Sequence, residues 1–461
     1  MASAVRALPF VPRRVPIVWG LSAFIWLLPV HILIIAVLFG ALGWPGGLVR
    51  VIAAWKEMLI ALLTAIAIVR FAIGAGPTIT IRWLDLMVGG LIAVSFGYLM
   101  AANAWFDQGL PVLAQLYGFR DAAFVLLLYF VGRATPEAAT SSRYLRALFV
   151  VGIITSGIAI LERLLVTPEM LVLLGAARYL QDFIGAGVGA SGNLYGLPDN
   201  YWTSLGSHLV TRAGSTYLSA QGFAIPFLLI MPAATLFVTT PDRTRSRLAW
   251  LGYAVTWVGL LLTLTRMTIL ACLLQTIIIL SMRRRWSTLV RSAVMAVLVS
   301  CVALIALPGL AAFAWDTVTW QTGSSVSHLH DWREGLENFS RYPLGVGLGA
   351  ADIIAWRFGI TPLAGDNQYL RFAVELGIVG LGLHLAILAG AITTGANAWS
   401  RARLQPVRDT GLLVALTALG IAMNAWTAGV FNATLLTYVF FWLLGSVSTA
   451  SAEPAHARVS T

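Results

Sequence analysis

A series of separate apolar runs constrains this chain more than any other feature. Each run has ~20 residues, which is the length of helix that crosses ~30 Å of hydrocarbon. Residues of the AVILMFWYC set make up 59% of the 461 residues and charged residues 11%, against roughly 45–50% and about 25% in soluble chains. A soluble protein of this size could not bury so much apolar surface. The sequence therefore predicts an all-α polytopic membrane protein, with residues 1–461 as a single integral membrane domain.

About twelve transmembrane helices are predicted, with two long segments between them at 167–215 and 308–369. Both segments are longer than a connector needs, and long loops on a rigid scaffold usually carry function. Thr167-Pro168-Glu169 is a helix-start pattern, and a further short helix is expected near 328–341. The predicted spans are 18–40, 49–72, 84–104, 118–134, 144–166, 216–238, 248–264, 267–283, 289–307, 370–395, 409–428 and 431–448.

The basic residues predict how the helices are oriented. The formal net charge is +11, and every basic residue except Lys56 is an arginine, mostly in clusters between alternate spans. Since Lys and Arg are retained in the cytoplasm, we expect both termini to be cytoplasmic and the two long segments to lie outside. No basic stripe is interleaved with aromatic residues, so nucleic acid is not an expected partner. Cys272 and Cys301 both lie in apolar runs, which argues against a disulfide framework.

Arg266 interrupts an otherwise apolar stretch, 249–282, whose two flanks are both strongly basic. Two cytoplasmic flanks require an even number of crossings, so the stretch is predicted to be a helical hairpin with Arg266 at its outer tip. Each arm is slightly shorter than the hydrocarbon core, which places the tip near the lipid headgroups. An arginine at that depth is costly without a partner and is a functional candidate by default.

Ionisable residues gather in the predicted outer segments, and the chemistry is expected there. On the helix near 328–341, the spacing puts His328, Trp332, Leu336 and Phe339 on one face. The outer ionisable residues are Arg212, Arg266, His328, His330, Asp331, Arg333 and Asp366.

Several familiar sites are absent from the sequence. There is no GxxxxGK[ST] phosphate loop, no HExxH zinc helix and no Asp-x-Asp metal motif. Gly345-Val-Gly347-Leu-Gly349 follows a predicted helix rather than a strand, so we interpret it as a glycine-rich turn rather than a nucleotide loop. His328-Leu-His330-Asp331 has no clear third ligand for a metal. We therefore expect neither a metal nor a cofactor.

An ordered set of short motifs lies between about 205 and 385. On a twelve-span frame, this set resembles the O-antigen ligase and Wzy-type polysaccharide polymerase superfamily. The resemblance implies a GT-C-like, metal-independent, inverting glycosyltransferase of the cell inner (plasma) membrane, which takes a glycan from an undecaprenyl-diphosphate carrier on the outer face. The motifs are Arg212-Ala-Gly-Ser-Thr216, Thr265-Arg266, His328-x3-Trp332-x2-Gly335, Pro343-Leu-Gly345-x-Gly347, Asp366-Asn367-x2-Leu370 and Glu375-x-Gly377-x2-Gly380.

The resemblance and the chemistry together suggest a site for the leaving diphosphate. Guanidinium stays charged and presents a planar fork to phosphate oxygens, so it can stabilise the charge that develops on the leaving group. Arg266 and Arg212 are the expected clamp. Arg120 is a third candidate, although Asp121 beside it is an alternative partner.

A general base must take the proton of the acceptor hydroxyl. In O-antigen ligases the position corresponding to Asp366 is usually histidine, followed by Asn, Ser or Gln. Here Asp366 is the candidate base, with the N-cap of span ten as its structural alternative. His328 and His330 are the other candidates, and structural hydrogen bonding is the alternative for both. The expected supporting residues are Trp332, Arg333, Asn367 and Glu375, with Glu375 as a buried partner of Arg371 or of the clamp.

These residues favour a polymerase of lipid-linked repeat units, because the ligase-type histidine is missing at Asp366. The alternative is an O-antigen ligase that transfers the glycan to lipid A core. A transporter of lipid-linked glycans is a more remote alternative, since it would place ionisable residues near the bilayer midplane and show repeated halves. The expected partners are the lipid-linked donor, a glycan or lipid A core acceptor, membrane lipids and a chain-length regulator.

Overall fold

The computed structural model describes the chain from residue 17 to residue 451 with internal gaps. Within this range the structure does not describe residues 75, 78–79, 106–108, 186–194, 206–207, 241–246, 287–289, 291–308, 310–314, 317–318, 320 and 322.

Helices make up nearly all of the regular structure in the described part of the chain, which confirms the all-α fold class. A two-stranded antiparallel hairpin, β1 (Trp202–Leu205) with β2 (His208–Thr211), pairs Trp202 with Thr211. The helices are α1 (Ile17–Ala36), α2 (Gly46–Ala53), α3 (Trp55–Ala72), α4 (Trp83–Trp105), α5 (Val112–Ala122), α6 (Leu127–Arg133), α7 (Arg143–Leu165), α8 (Pro168–Leu173), α9 (Ala176–Arg178), α10 (Ala220–Ala224), α11 (Phe227–Thr239), α12 (Arg247–Leu262), α13 (Arg266–Met282), α14 (Gly323–Arg341), α15 (Asp352–Arg357), α16 (Gln368–Arg401), α17 (Gln405–Asn424) and α18 (Thr434–Ala450).

Eleven of the twelve predicted spans coincide with apolar helical segments among the described residues. Three of these segments, α12, α13 and α18, are shorter than the others. Of the predicted span 289–307, only residue 290 is described. The eight segments long and apolar enough to cross a membrane are Ile17–Ala41, Gly46–Ala72, Trp83–Ala101, Val112–Arg133, Arg143–Leu165, Ala220–Thr239, Gln368–Arg401 and Gln405–Asn424.

The core of the bundle is built around α11 and α18, whose side chains are buried almost throughout. A helix that is apolar on every side is buried in protein or in lipid, and α11 packs against α7, α12, α13 and α17. Close approach of α6 and α18 depends on glycine. A Cβ at Gly132 would collide with the backbone of Trp442, and one at Gly445 with the backbone of Tyr129, as expected where helices pack through small residues in lipid.

The two ends of the bundle differ in composition. We call the end that carries Arg82, Arg133 and Arg283 the basic end, and the end that carries 195–205, 208–218, 263–266 and 323–368 the loop end. At the basic end, Arg133 is 2% exposed and its Nε lies 3.2 Å from Asp85 Oδ1. Arg283 likewise has a terminal nitrogen 2.6 Å from Asp409 Oδ1.

A kink in α16 shapes the loop end. Gly377 interrupts this helix with φ of 67°, and the 345–349 turn fits against the kink. A Cβ at Gly345 would lie 2.6 Å from Gly377 N, and the three glycines of the turn all have positive φ, where other residues are disfavoured. The interpretation of this motif as a glycine-rich turn is thus confirmed.

Candidate functional site

The predicted hairpin is present, with Arg266 at its tip. Helix α12 ends at Leu262 and α13 begins at Arg266. The three-residue turn between them is tight, with Leu264 at φ of 52°, a left-handed conformation that a leucine rarely adopts. The turn places Arg266 at the first position of α13, at the loop end of the bundle.

Arg212 holds this turn in place. Its Nε donates to Thr263 O at 2.8 Å, and a terminal nitrogen donates to Thr265 Oγ1 at 2.9 Å. The other terminal nitrogen donates to Asn200 O at 3.0 Å. Thr263 follows the end of α12, where a cation is favourable because of the helix dipole. These bonds use three of the five N–H groups of a guanidinium, so Arg212 orders the turn.

Glu162 anchors the segment that carries Arg212. This buried carboxylate at the end of α7 accepts hydrogen bonds from Gly214 N at 3.2 Å and Ser215 N at 2.5 Å. It also accepts one from the Tyr201 hydroxyl at 3.0 Å. Sequence analysis did not single out Glu162. The available signal was a carboxylate within an apolar predicted span, a position that is costly without such donors.

Helix α14 turns one of its two histidines inward and the other outward. His328 is half-buried, and its Nδ1 is buried with no hydrogen-bond partner among the described residues. His330 is 77% exposed beside Glu334, and Arg333 is 82% exposed beside Glu337. The expected face was slightly wrong, because Leu336 is exposed whereas Asn338 is buried.

Trp332 fixes α14 to the rest of the bundle. Its indole nitrogen donates to Trp426 O at 2.9 Å, in the turn that follows α17, and the two rings lie 5.9 Å apart. This contact supports the position of His328, one turn earlier on the same helix.

Arg212, Arg266, His328 and Asp331 lie within electrostatic range of one another. Burial, reinforced by the charge of Arg266, lowers the pKa of Arg212 to about 10. Burial also lowers the pKa of His328, with Arg266 adding to the effect and Asp331 opposing it. The imidazole is therefore neutral at pH 7 and able to accept a proton. Burial raises the pKa of Asp331, against the effect of the two nearby histidines.

The Asp366 segment joins this group through Gly365. A Cβ at Gly365 would lie 2.6 Å from Asp331 Oδ2, so the Asp331 carboxylate packs directly against this backbone. The N-cap of α16 is Asn367, whose Oδ1 accepts from Leu370 N at 3.0 Å. Asp366 is exposed, and the capping role considered for it belongs to its neighbour.

Arg120 lies in a different group of charges. Its Nε is 2.6 Å from Asp121 Oδ1, and a terminal nitrogen is 3.9 Å from Glu57. Asp121 in turn lies 4.0 Å from Arg371, which pairs with Glu375 at 3.3 Å. The expected pairings of Arg120 with Asp121 and of Arg371 with Glu375 are therefore both present, and the charge of Arg120 is already balanced by carboxylates.

Glu375 supports the glycine-rich turn as well as Arg371. Its Oε1 accepts from Gly349 N at 2.9 Å and Ala351 N at 3.3 Å. This buried carboxylate therefore has a positioning role at the kink of α16. Among the residues that the structure describes, no group of three His, Cys, Asp or Glu side chains could hold a metal ion.

A family model described as O-antigen ligase (Wzy_C) matches residues 251–385. The chain carries an O-antigen ligase-related region. The matched stretch runs from α12 into α16 and contains Arg266, His328 and Asp366, whereas Arg212 and Glu162 precede it. No curated protein matches the chain. The apolar helices indicate a multi-pass membrane protein, and the matching family supports a membrane glycan-transfer enzyme.

Proposed function

We propose that this O-antigen ligase-related chain is a glycosyltransferase of the cell inner membrane. It would move a glycan from an undecaprenyl-diphosphate carrier to a sugar hydroxyl on the outer face, with both termini in the cytoplasm. The observation that carries this proposal is the grouping of a cation and a neutral base at one end of the bundle. Arg266, on a turn that Arg212 holds, lies within electrostatic range of half-buried His328.

The arginines would act on the leaving group. As the bond between the anomeric carbon and the phosphate oxygen breaks, its electron pair passes to the diphosphate. A guanidinium beside that oxygen stabilises the developing charge, and more strongly in a partly desolvated site than in water. Arg266 is assigned to direct diphosphate contact. Arg212 is assigned to hold the turn and to supply its remaining N–H groups.

His328 is the base that we favour. The acceptor oxygen would attack the anomeric carbon on the face opposite the departing diphosphate, which inverts that centre, and its proton would pass to the imidazole. Asp331 would then stabilise the imidazolium, since its carboxylate already opposes the lowering of the pKa of His328. Asp366 stays the alternative base, because it lies next to Gly365, against which Asp331 packs. Exposed His330 receives no chemical role.

Within this reaction we favour a repeat-unit polymerase. The reason is that Asp366 stands where ligases usually have a histidine. A polymerase and a ligase use the same donor and differ in the acceptor. The second candidate is an O-antigen ligase, favoured by the description of the matching family. Deletion should leave single repeats on the carrier or on lipopolysaccharide if the protein is a polymerase. Long polymer on the carrier, with none attached to lipid A core, would identify a ligase.

The decisive experiment is an in vitro reaction of the purified protein with lipid-linked repeat units. Release of undecaprenyl diphosphate, together with a longer glycan, is the expected result, and a chelator should leave the rate unchanged. Strict dependence on added Mg²⁺ or Mn²⁺ would contradict the arginine clamp.

A labelling experiment tests the proposed orientation. Single cysteines introduced at position 264 in the hairpin turn and at position 334 on α14 should react with an impermeant reagent added from outside. If the cysteine in the turn reacts only from the cytoplasmic side, the proposed placement of the site on the outer face is wrong.

A further inference from the structure

A second group of arginines gathers at the loop end from three distant parts of the chain. Arg50 lies on α2, Arg178 on α9 and Arg357 on α15. The Arg50 guanidinium lies 5.9 Å from the Phe183 ring centroid, and a terminal nitrogen of Arg357 donates to Phe183 O at 3.0 Å. Both side chains meet the same residue, and these two cations from different elements lie within electrostatic range of each other.

An aromatic ring joins this group to the α5 helix. Arg357 lies 4.5 Å and Arg120 4.8 Å from the centroid of the Tyr117 ring. Arg120 has Asp121 as its acid partner. The guanidinium of Arg357 is thus held between Tyr117 and Phe183 by contacts that leave its positive charge uncompensated.

No carboxylate among the described residues lies within ion-pair distance of Arg50 or Arg357. Arg178 at the edge of the group has Asp182 at 3.8 Å. Burial lowers the pKa of Arg357, and the charges of Arg50 and Arg120 act in the same direction. Like charges within electrostatic range repel one another, and an anion between them would reduce that repulsion.

The surroundings place this group at the level of a membrane surface. Leu48 and Val51, which flank Arg50 on α2, are exposed large apolar side chains, and so are Leu173 on α8 and Trp356 beside Arg357. Exposed apolar residues next to arginines are typical of the membrane–water interface. There the apolar side chains contact acyl chains and the arginines reach lipid phosphates. The ligand should therefore be an anion attached to a lipid.

This group is separate from the Arg212–Arg266 site but lies on the same end of the protein. Phe183 and Tyr201 belong to one hydrophobic cluster, and the backbone N–H of Arg212 donates to Tyr201 O at 2.9 Å. A reaction between two lipid-borne substrates needs two phosphate-binding places on one face, and the loop end offers two groups of arginines.

We propose that Arg50 and Arg357, with Arg178 at the edge, form a second binding site for a lipid-borne phosphate, the phosphate of the acceptor lipid. This assignment to the acceptor rests on the proposed function, whereas the binding of a lipid phosphate does not. Arginine and phosphate form charge-assisted, often bidentate hydrogen bonds, which suits a site that must hold a lipid while its sugar reacts elsewhere.

Native mass spectrometry of the purified full-length protein with undecaprenyl diphosphate tests the proposal by counting bound lipids. The wild type should bind two copies. Arg50→Gln/Arg357→Gln should lose one copy, with affinity weakened about tenfold or more, and Arg266→Ala should lose the other. Arg50→Gln alone should weaken the same copy, and because Arg50 is exposed this variant tests binding without disturbing the core. Arg341→Gln, an exposed arginine of α14, is the matched control and should bind two copies.

Phosphatidylglycerol in a parallel titration distinguishes the two sources of a lipid phosphate. If it displaces the copy that depends on Arg50 and Arg357, the site takes a bilayer headgroup; if it does not, the site takes the carrier lipid. If Arg50→Gln/Arg357→Gln binds two copies of undecaprenyl diphosphate as tightly as the wild type does, the second site is overturned. If Arg50→Gln/Arg357→Gln loses this copy but the wild-type protein shows no glycan transfer, the proposed function is overturned and the second site stands.

Discussion

Arg133 and Arg283 at the basic end differ from Arg50, Arg212 and Arg357 at the loop end in what they contact. At the basic end, buried Arg133 and partly buried Arg283 each have a carboxylate partner, Asp85 and Asp409. At the loop end, Arg212 makes its described hydrogen bonds to two carbonyls and a hydroxyl. The described parts of the structure also place no carboxylate within ion-pair distance of Arg50 or Arg357.

This difference separates two uses of the same residue. A buried arginine paired with an acid is a closed structural unit, and its removal leaves a carboxylate without its counter-charge. An arginine near the surface that contacts only neutral groups keeps its charge for something outside the protein. Substitutions at the two ends should therefore affect different properties, stability at the basic end and turnover or binding at the loop end.

The largest effect is expected for Arg133→Leu, on stability. Breaking a buried ion pair from one side costs about 3–5 kcal/mol, and Asp85 would keep only the Tyr129 hydroxyl at 2.5 Å and the Arg82 N–H at 2.8 Å. Thermal unfolding in detergent measures this loss. The double variant Arg133→Leu/Asp85→Leu should recover much of it, and an unaltered melting temperature in the single variant would remove the distinction between the two ends.

Next in size is Arg266→Ala, which should lower the turnover number about 10²–10³-fold, the usual cost of losing one donor to a developing negative charge. The melting temperature should change little. Arg266→Lys should restore only part of the rate, because an ammonium cannot make the two-pronged phosphate contact. Full activity of Arg266→Ala in the carrier-release reaction would eliminate the clamp.

His328→Gln should lower the rate of glycan transfer by about 10², the low end for loss of a general base. His330→Gln is the natural comparison, because it changes the same residue type two positions along α14. Its loss should be much smaller, since that side chain is mostly exposed. If Asp366→Asn slows transfer more strongly than His328→Gln does, the base is Asp366.

The smallest effect is a shift in the pH dependence of kcat/KM. A base acts in its unprotonated form, so the rate should rise with pH through the pKa of His328, which burial and Arg266 lower. The Asp331 carboxylate opposes that lowering. Asp331→Asn should therefore lower the pKa further and move the acid limb of the profile to lower pH. A shift to higher pH would mean that another group carries the titration.

The sequence predicted the membrane architecture because a bilayer requires apolar segments of a set length. Arg266 could be placed at a hairpin tip for the same reason, since basic flanks fix the side on which each end lies. What holds the tip could not be predicted. Arg212 bonds to the backbone oxygen of Thr263, 51 residues further along the chain, and a backbone acceptor leaves no mark on the sequence.

The details of the predicted site were also beyond what the sequence could predict. Asp366 was considered as the N-cap of span ten, and the cap is Asn367, because both residue types cap helices about equally well. Helical spacing placed His328 and Trp332 on one face correctly but also placed Leu336 there, since a pattern in a short helix fixes its rotation only to within about one residue. Glu162 and Asp331 acquire their roles from tertiary contacts.

The hydrogen bonds from Arg212 to the hairpin turn also limit how the O-antigen ligase-related region can be exchanged between proteins. Residues 251–385 contain the turn and Arg266 but not the side chain that holds the turn or the carboxylate that anchors that side chain. A chimera that exchanges only the matched region between two such proteins would transfer Arg266 without Arg212 and Glu162, which hold its turn in place. Exchange at residue 162 or earlier would keep the three residues together, so the smallest portable unit of this protein is larger than its family match.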